Sequence, residues 1–87
     1  MDIEFDQAKE AINHRKHGVS LAVGALVLES RFHDVPDLRD YNGETRRIAY
    51  GTIAGRVFVC VYTMRGAVYR LISVRKANKR EQRRWQP

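Results

Sequence analysis

The chain has 87 residues, of which 44% are hydrophobic, and a net charge of +6. This size predicts one domain, spanning residues 1–87, with a modest core. It contains no apolar run of the roughly 20 residues that cross a membrane and no secretory signal, so we expect a cytoplasmic protein without a membrane contact.

The first third of the chain predicts a helical hairpin. Asp6 is a suitable N-cap for a first helix, and Gly18 ends that helix after the basic residues of its last turn. Ser20 can cap a second helix over about 21–29, which is apolar nearly all round and should be buried on more than one side. Residues 2–5 can add a strand before the hairpin.

The segment 30–45 is rich in Asp, Asn, Pro and Gly, and it predicts a loop with at most a short strand near Phe32. Short turns containing glycine then separate apolar segments, which indicates antiparallel hairpins. The predicted strands lie at about 46–53, 56–63 and 67–75. The middle strand is apolar on both faces, so we expect it to be central.

A final basic helix is predicted to follow a cap at Asn78 and to end near Trp85. The predicted order is β-α-α-β-β-β-α. It describes an α+β domain with an antiparallel sheet, the hairpin on one face and a basic cleft on the other. Cys60 lies in the central strand, where we expect a buried structural thiol. One cysteine and three scattered histidines predict neither a disulfide nor a metal site, and we expect no cofactor.

Charge is distributed unevenly along the chain. Residues 46–87 contain eleven Arg or Lys and one acid, whereas residues 1–45 contain five Arg or Lys and nine acids. The two parts therefore carry +10 and −4, which sum to +6. A positive field of this density favours a polyanionic partner, above all a nucleic acid.

Arg70 interrupts an otherwise apolar strand segment, 68–72. A guanidinium in such a strand requires an anion, and there are two explanations. The residue either pairs with an acid elsewhere in the chain or clamps a phosphate through bidentate hydrogen bonds. Strict alternation places Arg75 on the opposite face, so the two arginines cooperate only if the strand twists or ends before Arg75.

Three further residues each have a functional and a structural explanation. His17 could transfer protons near a phosphate, or it could serve as a basic cap whose cation the helix end stabilises. Glu81 could accept a proton or pair with an arginine. Trp85 could stack on a base or pack under the sheet. His14 and His33 are expected to be surface residues.

The sequence provides no catalytic triad and no phosphate-binding glycine loop. An enzyme built from these residues would suit RNA, because the 2′-OH of RNA is itself a nucleophile. Arginines and lysines could hold the strand and stabilise the pentacovalent charge without a metal ion.

Several motifs together cover most of the chain. They are Asp6-x-x-Lys9-x-x-x-Asn13-x-x-Lys16-His17-Gly18-Val19-Ser20, Arg46 five residues before Gly51, Thr63-x-Arg65-Gly66, Arg70-x-Ile72-Ser73-x-Arg75-Lys76-Ala77, and Glu81 with an aromatic residue at 85. In these motifs the chain resembles the BrnT toxin family. It departs from the usual family pattern at Phe5, Leu21, Val68 and Trp85. At position 85 a tyrosine is usual, and its ionisable hydroxyl is lost here.

The resemblance implies a RelE-like fold and a ribonuclease toxin of a type II toxin–antitoxin pair that halts translation. It also implies a BrnA-like antitoxin, which would bind operator DNA within a hetero-oligomeric complex. We expect the catalytic contacts to come from Arg46, Arg65, Arg70 and Arg75, with His17 and Glu81 as competing proton-transfer groups. The expected RNA-binding residues are Lys16, Lys76, Arg80 and Trp85.

Two other functions remain open from the sequence. The chain could be a nucleic-acid-binding module without catalysis, in which case the same charges would give salt-sensitive affinity only. It could also be an interaction protein whose basic face binds an acidic partner chain.

Overall fold

The computed structural model describes residues 1–85, which form one mixed sheet and three helices. In chain order the elements are β1 (Asp2–Glu4), α1 (Gln7–His17), a 3-10 turn (Leu21–Val23), α2 (Gly24–Glu29), β2 (His33–Tyr41), β3 (Glu44–Ile53), β4 (Arg56–Arg65), β5 (Val68–Lys76) and α3 (Lys79–Trp85). The strand order is β1-β5-β4-β3-β2. All neighbouring strands are antiparallel except β1, which runs parallel to β5. The α+β prediction is confirmed.

The helical hairpin forms as predicted, with one difference in its second arm. The Asp6 carboxylate accepts hydrogen bonds from two main-chain N–H groups at the start of α1, and Gly18 ends the helix with φ of 70°. The second arm begins as a 3-10 turn capped by Ser20 and becomes α-helical at Gly24. Glu10 joins the two arms, because its carboxylate accepts hydrogen bonds from the Ser20 hydroxyl and the Leu21 N–H.

The prediction of a loop over residues 30–45 is wrong. Nine of these residues form β2, which pairs with β3 from His33 opposite Tyr50 to Tyr41 opposite Glu44. β2 is an edge strand, and an edge strand tolerates Pro36 and several acids because one of its sides forms no ladder. The pairing with β3 is a long-range interaction that local composition does not reveal.

β4 is the central strand and is covered on both sides, as predicted. Its side chains alternate between a core beneath α1 and α2, where Cys60 and Tyr62 are buried, and a smaller core that includes Val57 and Val59. Burial of Cys60 raises the pKa of its thiol to about 12, which agrees with a structural role. No helix within residues 1–85 is long and apolar enough to cross a bilayer.

Candidate functional site

A β-bulge at Ile72 determines which side chains of β5 share a face. Val61 of β4 is opposite Ser73, but the next residue, Tyr62, is opposite Leu71. Ile72 is therefore an extra residue without a partner across the ladder, and the alternation of side chains along β5 shifts by one position there.

This shift places Arg70 and Arg75 on the same side of the sheet. Arg70 is opposite Thr63 and Arg75 is opposite Val59, and residues paired in an antiparallel ladder point to the same face. Thr63 and Val59 lie four residues apart on β4, so they also share a face. The expectation of opposite faces from strict alternation is thus wrong. We call this side of the sheet, which is turned away from α1 and α2, the open face.

The four predicted arginines all lie on the open face, but in two groups. Arg46 and Arg70 belong to one row across the sheet, and Arg65 lies further along β4 in the same direction. Arg75 lies in a second row, about 13 Å away at roughly 3.3 Å per strand residue. The structure therefore gathers these side chains on one surface without bringing them into a single pocket.

Arg70 is paired with acids that precede α1. Its guanidinium nitrogens lie 3.3 Å from the Glu4 carboxylate and 4.0 Å from the Asp6 carboxylate. The ion-pair explanation thus accounts for an arginine in this strand. The side chains of the two acids are 42% and 46% exposed. The Arg70 side chain is 22% exposed, but because its partners are open to water the pairs are screened and worth on the order of 1 kcal/mol, so a phosphate could replace the acids.

Arg46 already has partners within the protein, whereas Arg65 is more accessible to a ligand. Arg46 donates to Glu44 at 2.7 Å, and its guanidinium lies 3.8 Å from the centre of the Tyr41 ring. Arg65 is exposed and makes no ion pair with the part of the chain that the structure describes. The hydrogen bond from Arg46 is the main cause of the lowered pKa of Glu44, and the charge of Arg65 lowers that pKa further. Arg65 is thus the predicted arginine most available to an anion.

Glu81 anchors α3 to the open face. Its carboxylate accepts two hydrogen bonds from Arg75, at 2.7 and 3.0 Å. It also forms a capping box with Asn78, in which each side chain accepts a hydrogen bond from the other residue's N–H at 2.9 Å. The hydrogen bonds from Arg75 lower the pKa of Glu81, so this carboxylate is charged at neutral pH. Both of its oxygens already have partners.

A pocket of about 140 Å³ lies between α1 and the edge of β5. Its polar lining comes from Lys9, Asn13, Lys16, His17 and Ser73. The spacing of these residues along α1 places them on one side of the helix. The pocket therefore presents two ammonium groups and an imidazole beside a strand that carries open-face arginines.

His17 is held in its uncharged form at neutral pH. Partial burial, and then the charges of Lys16 and Arg75, lower its pKa below the ordinary value of 6.5. These effects act against the cation on which the helix-cap explanation of His17 depends, although His17 does lie in the last turn of α1. The cap of α1 is instead Gly18, whose N–H donates to the His14 carbonyl at 2.8 Å.

A second pocket, of about 280 Å³, lies where α3 meets the open face. Aromatic residues from three elements line it, namely His33, Tyr50 and Trp85, together with Arg80 and Arg84. Trp85 also packs against the small core of Val57 and Val59, which agrees with the packing explanation and leaves its predicted contact with RNA a prediction. His33, which was expected on the surface, is partly exposed, and its ring lies 4.5 Å from that of Trp85.

Lys76 is the predicted residue of β5 that does not share the open face with the four arginines. It is opposite Phe58, which points toward the helices, so its side chain leaves the sheet on the other face from Arg75. Sequence reasoning missed Lys9, Ser73, Tyr50 and His33 as site residues. Lys9 could have been predicted, because its spacing from Asn13 and Lys16 places all three on one face of the helix. The other three depend on strand pairing.

The arrangement suits a single-stranded polyanion. It offers guanidinium and ammonium groups for phosphates, an uncharged imidazole for proton transfer and aromatic rings for stacking. Within residues 1–85, no group of three His, Cys, Asp or Glu side chains could hold a metal ion.

Comparison with known families gives a match over most of the chain. The family model described as "Ribonuclease toxin, BrnT, of type II toxin-antitoxin system" matches residues 5–81, which is nearly the whole chain. No curated protein matches the chain significantly.

Proposed function

Since the chain belongs to the BrnT family of ribonuclease toxins of type II toxin–antitoxin systems, we propose that it is an endoribonuclease that cleaves RNA by electrostatic catalysis and thereby inhibits translation. The family implies an RNA substrate and a cognate antitoxin protein. The observation that carries the proposal is the bulge at Ile72. It places Arg70 and Arg75 of β5 on one face of the sheet, the face that α1 and α2 leave uncovered and to which Arg65 of β4 also belongs.

We place the scissile phosphate at the edge of β5, near His17, Lys16 and Arg75. The pocket beside α1 and the electrostatic effect of Arg75 on His17 support this position. There the uncharged imidazole takes the proton of the RNA 2′-OH while that oxygen attacks phosphorus. The bond from phosphorus to the 5′ oxygen breaks, and Lys16 supplies a proton to the leaving oxygen. The products are a 2′,3′-cyclic phosphate and a 5′-hydroxyl end.

The cations contribute through position and charge. Arg75 and Lys16 stabilise the negative charge that develops on the phosphate oxygens, a contribution that is greatest in a site with little water. Arg46, Arg65 and Arg70 bind phosphates further along the strand and hold the reacting nucleotide in line. The separation of about 13 Å between the two rows supports contacts to different phosphates of one strand.

Glu81 is assigned an anchoring role in this mechanism. Both of its oxygens accept hydrogen bonds from Arg75, and the same carboxylate caps α3. A carboxylate with a lowered pKa is also a weaker base than an uncharged imidazole. These observations favour His17 over Glu81 for proton transfer.

The cognate antitoxin is proposed to be a BrnA-like protein that covers part of the open face and binds operator DNA within a hetero-oligomer. The density of positive charge in residues 46–87 supports an acidic segment as the contacting part of this partner. An antitoxin bound there would exclude RNA from the same arginines.

The test is cleavage of naked RNA by the purified full chain in the presence of a chelator. We expect shortened RNA with cyclic phosphate ends, and a loss of about 100-fold or more in rate for His17→Ala. Because the pKa of His17 is lowered, the acid limb of the pH–rate profile should lie below pH 6.5. His14→Ala is the matched control and should retain the wild-type rate.

Glu81→Gln separates the two proton-transfer candidates. Glutamine can keep the capping box but loses the charge that faces Arg75. We expect a much smaller loss of rate than for His17→Ala, and an equal loss in a folded protein would transfer the role to Glu81. If RNA stays intact both alone and in a translating extract, the proposed function is wrong.

A further inference from the structure

Three rings from three different elements meet at one end of the open face. The ring centre of Trp85 lies 4.5 Å from that of His33 and 5.8 Å from that of Tyr50, and His33 and Tyr50 are 5.7 Å apart. All three side chains are partly exposed. Their pocket of about 280 Å³ is slightly smaller than the roughly 300–1,000 Å³ usual for drug-sized ligands, so it suits one small planar group.

The charges around this pocket favour an anionic ligand. Arg80 and Arg84 line it, and the Arg84 guanidinium lies 5.0 Å from the centre of the Trp85 ring. The carboxylate of Glu81 also lines the pocket, but hydrogen bonds from Arg75 occupy it. A planar group flanked by negative charges therefore fits better than a neutral or a cationic ligand. Nucleotides of a single strand have this chemistry.

We infer that this pocket binds one unpaired nucleobase of the RNA strand, stacked against Trp85 and His33, while Arg80 and Arg84 contact the flanking phosphates. This inference rests on the proposed function and adds a base-binding subsite to it. Trp85 packs against the small core of Val57 and Val59 but is only partly buried. Its ring also lines the pocket, which is where a base would meet it.

The position of the pocket connects it to the cleavage site. Arg75 contacts Glu81 on the pocket side, and its charge also acts on His17 on the other side. A base held by Trp85 and His33 would thus position the phosphate of a neighbouring nucleotide near Arg75. The subsite would restrict cleavage to strands whose bases are unpaired.

Trp85 is the only tryptophan of the chain, so its fluorescence reports directly on the pocket. The experiment titrates the full chain with a tetradeoxynucleotide, which lacks the 2′-OH and cannot be cleaved by the proposed route. An abasic tetramer with the same phosphates is the matched control ligand. We expect saturable quenching by the tetradeoxynucleotide and little quenching by the abasic tetramer.

His33→Ala should weaken the binding of the tetradeoxynucleotide about tenfold, as expected for one lost stacking partner, whereas His14→Ala should not change it. His33→Leu removes the ring but keeps a side chain of substantial size in β2, and it should show the same loss if His33→Ala does not fold. Equal quenching by both ligands, or unchanged binding in folded His33 variants, would overturn the inference. Cleavage with an unchanged KM in those variants would leave the proposed function intact. Normal quenching without any cleavage would instead reject the function and keep the base subsite.

Discussion

Arg70 shows how one side chain can serve both folding and function. Its guanidinium is satisfied by Glu4 and Asp6, which explains why an apolar strand tolerates it. The two acids are substantially exposed, so little free energy holds the pair together. An arginine of this kind is available to a phosphate at small cost, and the bulge at Ile72 turns it toward the same face as Arg75.

Arg70→Ala is therefore expected to reduce kcat/KM for RNA cleavage by at least about tenfold, because one charge-assisted contact to phosphate is lost. The free energy of unfolding should fall by about 1 kcal/mol, because the partners Glu4 and Asp6 are exposed and water screens the pairs. Gel-based kinetics and urea denaturation measure the two effects. Arg15→Ala removes the same charge from the exposed side of α1 and serves as the control. A folded Arg70→Ala protein that cleaves at the wild-type rate would remove Arg70 from the mechanism.

Among the elements, β5 depends on a side chain from α1 at its free edge. β1 pairs with β5 only as far as Arg70, so the later part of β5 has no neighbouring strand on that side. There the buried Asn13 amide accepts from the Val74 N–H at 3.0 Å and donates to the Val74 carbonyl at 2.9 Å. Asn13 thus replaces a strand partner just beyond the bulge, and it fixes the position of α1 relative to Arg75.

Asn13→Ala should lower the free energy of unfolding by about 2–3 kcal/mol, because it leaves buried main-chain groups without partners. Asn13→Asp has nearly the same size but places an oxygen against the carbonyls of Val74 and Val19, to which Asn13 now donates. Asn13→Asp should therefore also lower the free energy of unfolding. Urea denaturation measures both changes, and faster hydrogen exchange at Val74 locates them. If either substitution lowers the free energy of unfolding by less than about 0.5 kcal/mol, water must be forming the hydrogen bonds with the Val74 main chain that Asn13 is proposed to supply.

Local signals in the sequence predicted the elements better than the site. The caps at Asp6 and Gly18 act through residues next to them in the chain, so they could be identified without a structure. β2 and the bulge at Ile72 depend on partners elsewhere in the chain, and the amino-acid pattern of one strand does not specify its register. The ring contacts of His33 could not be predicted for the same reason, since its neighbour Trp85 belongs to the last helix.

The whole molecule separates its charges into regions of opposite sign. The excess of acids in residues 1–45 lies largely in β1, the start of α1 and the edge strand β2, whereas the basic residues 46–87 supply β3, β4, β5 and α3. Some of the acids pair with open-face arginines, as Glu4 does with Arg70. The acids of the chain therefore neutralise part of the positive charge on the open face. A ligand with a higher density of negative charge can compete with these acids for the arginines. A flexible polyanion can therefore bind by exchanging with exposed carboxylates.

This charge distribution predicts that RNA affinity falls steeply with salt. For a single strand, log K changes with log salt concentration by about −0.7 per phosphate contacted. Contacts from Arg65, Arg70, Arg75 and the cations of the α1 pocket to about four phosphates give a slope of about −3. Arg65→Ala should reduce the slope by about 0.7, because Arg65 makes no ion pair with residues 1–85 and its contact to RNA would have no substitute. Fluorescence titrations with a deoxy-substituted, uncleavable RNA at several salt concentrations measure the slope, and Arg15→Ala should leave it unchanged. A slope near zero would mean that the open face does not bind the phosphate backbone, because counterion release accompanies every such contact.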